Sequence, residues 1–139
     1  SKGEPIQSSN FQGLFLALES MMDALAVTPG SSGPLSEETV VVVLSEMGRT
    51  PQLNGKDGRD HWPYTSAMLI GPGITGNRVV GGYNDYFYGE TLDLASGEIY
   101  AEGQVLTSAG VGGALLALGG VDPQEYLPDY TPAMGLLSS

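Results

Sequence analysis

Residues 39–44 read TVVVVL, a continuous, uncharged and mostly β-branched run. Nothing in it alternates, so neither face is marked for water. Such a run suits a strand covered on both faces of a sheet, as in α/β proteins. SAMLIG at 66–71 reads as a second strand, stopped by Gly-Pro-Gly. A strand as apolar as 39–44 needs neighbours on both sides, yet the chain offers only two or three strands. The expectation is that it forms part of a larger sheet.

Upstream, FQGLFLALESMMDALAV places Phe11, Leu14, Phe15, Leu18, Met22 and Leu25 at helical spacing. Gln12, Glu19 and Asp23 fall mostly on the other side, and Asn10 stands in front as N-cap. Residues 1–9 are polar and read as loop, and TPGSSGP (28–34) breaks the chain. Residues 78–81 read as a short strand. The Tyr-, acid- and Gly-rich segment 82–103 reads as a long loop or an edge hairpin. A helix is expected over 108–118, capped by Thr107 or Ser108 and ended by Gly119-Gly120. Its internal glycines weaken it but allow close packing. Residues 121–132 read as an irregular tail. GPGITG (71–76) lacks the Lys-Ser/Thr of a phosphate loop and reads as a turn.

The 139 residues suit one modest domain, and 41% of them are hydrophobic. The net charge of -11 argues against nucleic acid or an anionic membrane as partner. There is no cysteine, hence no disulfide or thiolate chemistry. The longest apolar runs, Val40 to Leu44 and Ala114 to Leu118, are too short to span a bilayer.

Against this acidic background, SEMGRTPQLNGKDGRDHWP (45–63) holds three of the five basic residues, Arg49, Lys56 and Arg59. It also holds the only His, His61, and the only Trp, Trp62. At the carboxyl end of a buried strand it would occupy the usual ligand edge of an open α/β sheet. The basic residues suit a small anion such as phosphate, sulfate or carboxylate. Equally, they suit local pairing with Glu46, Asp57 and Asp60. Glu46, Asp60 and His61 are ligand types for a divalent ion, although a lone His beside Trp and Pro is more often packed and hydrogen-bonded. No Gly-x-Ser-x-Gly elbow accompanies Ser45, Thr50 or Thr65. Tyr83, Tyr86 and Tyr88 make either a sugar-facing platform or a cover for the core.

The run VVVVLSEMGRTPQLNGKDGRDHWP resembles the bacterial family called domain of unknown function 1501. The resemblance extends to the preceding helix and to DLASGE and ALLALGGVDPQEYL, roughly residues 10–128. That family is similar to the alkaline phosphatase and sulfatase superfamily. The resemblance implies an α/β/α sandwich, with few, mostly parallel strands and flanking helices. It also implies hydrolysis of phosphate or sulfate esters at a divalent-metal site holding zinc, calcium or manganese. Carried over by position, Glu46 and His61 stand at metal-ligand positions, with Asp60 beside them, and Arg49 and Arg59 lie near the anion. Met47 stands where the superfamily has a ligating His, and the upstream Asp-Thr-His motif is absent.

The implied protein is the carboxyl-terminal part of a longer domain, inactive alone. Its missing amino-terminal part or another chain would supply the rest. Its location would be periplasmic, cell-envelope or extracellular, and its ligand a small anionic ester or a glycan. The competing expectation is a non-catalytic binding or assembly module of the envelope, with 82–103 as its partner surface.

Overall fold

A computed structural model describes residues 4–138. The chain forms two compact units that divide after Pro72. The first unit opens with helix α1, Glu4–Val27. The helix therefore starts well ahead of Asn10, and residues 4–9, read as loop, are helical; residues 1–3 lie outside the described residues. Pro5 fits this start, because a first-turn N–H has no intrahelical acceptor to lose. Leu18, Met22 and Leu25, on one stripe of α1, are half-buried, and the helix contacts a 3-10 turn at Leu35–Glu37.

The connection between them is clasped by Glu38. Its carboxylate accepts the N–H of Ser31 at 2.9 Å and the N–H and hydroxyl of Ser32 at 2.5 and 3.0 Å.

The apolar run becomes β1, Val41–Leu44, and the second run becomes β4, Ala67–Ile70. They pair antiparallel, from Val41 opposite Ile70 to Leu44 opposite Ala67. Inside them, β2 (Gly48–Arg49) and β3 (His61–Trp62) pair antiparallel as well. In the second unit β5 (Thr91–Leu92) pairs antiparallel with β6 (Gln104–Val105). Among the described residues the named strands thus form three separate two-stranded sheets.

This overturns the α/β/α sandwich with mostly parallel strands. Parallel neighbours need a crossover of a dozen or more residues, usually a helix. Residues 45–66 form a hairpin instead, and a hairpin returns the chain antiparallel. With one neighbour, β1 is half-buried rather than covered on both faces, and Leu44 is 67% exposed.

The expected strand at 78–81 does not form. Arg78 instead donates to the Ser96 carbonyl at 3.1 Å and pairs with Glu98 at 2.9 Å. Segment 82–103 is more ordered than a long loop and holds the core. Tyr83 and Gly89 bridge a tight turn, and Leu92 and Leu94 pack with Ala133 against Val80, Leu106 and Leu136.

Helix α2, Ser108–Leu118, forms where expected. The Thr107 hydroxyl accepts the Gly110 N–H at 3.0 Å. Gly113 is buried, and a Cβ there would sit 3.2 Å from Pro132, so the α2 glycines do permit close packing. The tail is not wholly irregular, since Asp122 caps a short helix, α3, Pro123–Tyr126.

Thr107→Ala leaves the Gly110 N–H without its acceptor, so it should cost about 1 kcal/mol. Thermal denaturation should show the second unit melting roughly 4–8 °C earlier, with Thr107→Ser recovering most of the loss.

The N–H groups of Ser31 and then Ser32 hold the Glu38 carboxyl below its ordinary range. A depressed folded value means that the clasp is complete above the ordinary Glu range and is lost as pH falls through the folded value. The amide shifts of Ser31 and Ser32 should titrate in that acid window and stop titrating in Glu38→Gln.

Candidate functional site

The stretch 45–63 is a hairpin that closes on itself. Gly48 faces Trp62 and Arg49 faces His61 across the ladder. Gly48 is buried, and a Cβ there would run into the Tyr64 carbonyl oxygen. Glycine is therefore required by close approach of the backbone. Beyond the ladder Thr50 N–H donates to the Asp60 carbonyl at 3.0 Å, and Asp60 N–H returns to the Thr50 hydroxyl at 3.1 Å. Trp62 stacks edge-on against Tyr64 with ring centroids 5.1 Å apart.

The tip is built around Asn54. Its side-chain oxygen accepts the N–H groups of Lys56 and Gly58, each at 3.0 Å, and its amide donates to Asp60 Oδ1 at 2.8 Å. Asp57 takes the left-handed conformation, at φ 57°. The sequence reading passed over Asn54. Its signal was local: Asn-Gly-Lys-Asp-Gly is turn chemistry, because Asn bonds its own backbone and Asp tolerates positive φ.

Arg49, Arg59, Asp60 and His61 are thus brought onto one hairpin, all four exposed. The two arginines serve the hairpin itself. Arg49 donates to the Arg59 carbonyl at 3.3 Å, and Arg59 donates to the Thr50 carbonyl at 2.9 Å and to that of Pro51. Glu46 lies ahead of β2, exposed, with the Ser45 hydroxyl 3.5 Å from its carboxylate. Among the described residues no group of three His, Cys, Asp or Glu side chains is placed to hold a metal ion. Glu46, Asp60 and His61 do not form such a set in this arrangement. Asp60 is tied to Asn54 and Thr50, while His61 sits opposite a cationic residue.

The other surface singled out is 82–103. Asn84 Oδ1 accepts the N–H groups of Tyr86 at 2.9 Å and Tyr88 at 3.2 Å, and Phe87 is left-handed at φ 63°. Tyr83 lies 6.1 Å from Phe87 between ring centroids. Tyr86 is 80% exposed, and Tyr83 and Tyr88 are more than half exposed, so these rings do not cover the core. Asp93 organises the DLASGE turn, accepting the Ala95 N–H at 3.0 Å and the Ser96 hydroxyl at 2.9 Å.

A family model described as "Protein of unknown function (DUF1501)" matches residues 18–97, more than half of the chain. The chain belongs to that family. The match includes the SEMGRTP and GRDHWP segments and ends within DLASGE, so ALLALGGVDPQEYL lies beyond it. No curated protein and no solved structure matches this DUF1501 chain. Among its described residues no helix is long and apolar enough to cross a membrane.

Asn54→Ala should free the Lys56 and Gly58 amides. Their hydrogen exchange should accelerate by about tenfold, the equivalent of one to two lost hydrogen bonds, while exchange in α2 stays unchanged.

Proposed function

We propose that this DUF1501 chain works as a non-catalytic binding or assembly module of an exported, envelope-associated protein. One observation carries the reading: the chain exposes 9667 Å² at a mass of 14.5 kDa. Two independent globules of half that mass would expose about 8,300 Å² together. Large apolar side chains stand exposed, among them Phe11, Leu14 and Phe15 on α1 and Leu44 and Met68 on the β1–β4 pair. Among the described residues the buried apolar side chains, Leu92, Leu94, Ala114 and Ala133, all lie in the second unit. Large apolar side chains left exposed in this number suit cover by another polypeptide. That polypeptide is the remainder of a longer chain or a second protein. The envelope location rests on the family resemblance.

The exposed apolar surface has a direct readout. The 139-residue chain should enhance the fluorescence of a hydrophobic dye such as ANS under native conditions. Association with its partner should abolish that signal. A chain that binds no dye and unfolds in one sharp transition would sink the reading.

A second reading is ester hydrolysis on phosphate or sulfate groups, supported by the gathering of Arg49 and Arg59 on one hairpin beside His61. In that role the guanidinium groups would stabilise charge developing on the ester oxygens. Their donation to hairpin carbonyls weighs against it. On this reading the chain is inactive alone, so turnover of a phosphate or sulfate ester should require a longer form. Arg49→Ala and Arg59→Ala should then lower kcat in that form. Loss of hairpin stability with unchanged kcat would leave the arginines as structural groups.

A further inference from the structure

Beyond Arg78 the sequence has no Lys, Arg or His, yet that part carries eight of the sixteen carboxylates and six of the seven tyrosines. All six of those tyrosines are at least half exposed. Among the described residues no three carboxylates gather to hold a metal ion. An open concavity of about 410 Å³ lies over residues 92–104. Leu92 and Leu94, both buried, line it, and so do Glu98, Tyr100 and Glu102. Arg78 takes one oxygen of Glu98, and the Tyr100 hydroxyl donates to Glu102 Oε2 at 3.1 Å. The Tyr100 contact fixes the Glu102 carboxylate beside a half-exposed ring.

We infer that this concavity seats a Lys or Arg side chain from a partner polypeptide. The inference rests on the binding-module reading and gives it a partner chemistry. Ile99, on the lining and 67% exposed, offers apolar surface to the methylene stem of such a side chain. Glu102 supplies a charge-assisted acceptor for its head, and the Tyr100 ring face attracts the same cation. Uncharged polyols can hydrogen-bond to carboxylates but gain no net Coulombic attraction from them, so the charge pattern favours a basic segment over a glycan. Long-range attraction from the acidic surface would speed its capture and weaken with salt.

The test is amide-shift titration of the full 139-residue chain with the peptide acetyl-Gly-Lys-Leu-Arg-Gly-amide. A neutral analogue carries norleucine and citrulline in place of Lys and Arg, and the uncharged hexa-N-acetylchitohexaose represents a glycan. Shifts should concentrate in residues 92–104 with the cationic peptide only. Glu102→Gln and Tyr100→Leu should each weaken binding about threefold or more. Glu125→Gln removes the same charge elsewhere in the unit and should have less effect. If Tyr100→Leu perturbs folding, Glu102→Gln, an exposed change, carries the comparison.

Equal weakening by Glu102→Gln and Glu125→Gln would overturn the inference in favour of diffuse attraction. Equal binding of the neutral analogue, occupation by hexa-N-acetylchitohexaose instead, or no binding of the cationic peptide would overturn it as well. ANS binding separates the two levels. Dye binding without peptide binding removes the basic partner and leaves the module; absence of both removes the module reading too.

Discussion

Residues 45–66 hold no crossover helix, and that constraint shapes the whole first unit. A hairpin nested inside β1 and β4 can only bring the second strand back antiparallel. Each strand then has one neighbour, so a run of valines that could sit between two sheet faces is only half covered. The arrangement leaves Leu44 and Met68 on the surface, in the same unit as an α1 whose Phe11 and Phe15 are about half exposed. Such surface is unfavourable in water at about 25 cal/mol per Å², and that cost motivates the proposal that another polypeptide covers this unit.

The second unit solves its folding differently. Its core is small, centred on Leu92, Leu94 and Ala133, and it is held by backbone contacts at glycine positions. Gly135 N–H donates to the Leu94 carbonyl at 2.8 Å, and a Cβ on Gly135 would collide with the backbone at Gly97. Gly97 itself takes φ 77° inside the turn that Asp93 organises. DLASGE is thus a packing device: Asp93 fixes the turn, Glu98 receives Arg78, and Gly97 admits the neighbouring chain. The concavity beside it takes Asp93 and Glu98 from that turn and Glu102 from beyond it.

The two halves also divide the chemistry. The hairpin at 48–62 gathers most of the positive charge but directs its arginines at its own carbonyls. The second unit has a single basic residue, Arg78, already paired with Glu98, and leaves tyrosines and carboxylates facing water. Geometry therefore shifts interest away from the stretch that is most distinctive in sequence, towards a segment whose sequence pattern is weak.

Local physics was legible without the structure. The position of α2 and its Thr107 cap follow from hydroxyl chemistry in front of an apolar run, and the 41–44 and 67–70 strands follow from continuous apolar composition. Family membership was legible in SEMGRTP and GRDHWP. What the residues could not declare was how the strands pair. Composition records how apolar a strand is; the direction and number of its neighbours depend on the path of the intervening chain. The roles of Arg49 and Arg59 were undecided for a related reason. A guanidinium can donate to an anion or to a carbonyl oxygen, and only the closure of the hairpin placed carbonyl oxygens within reach.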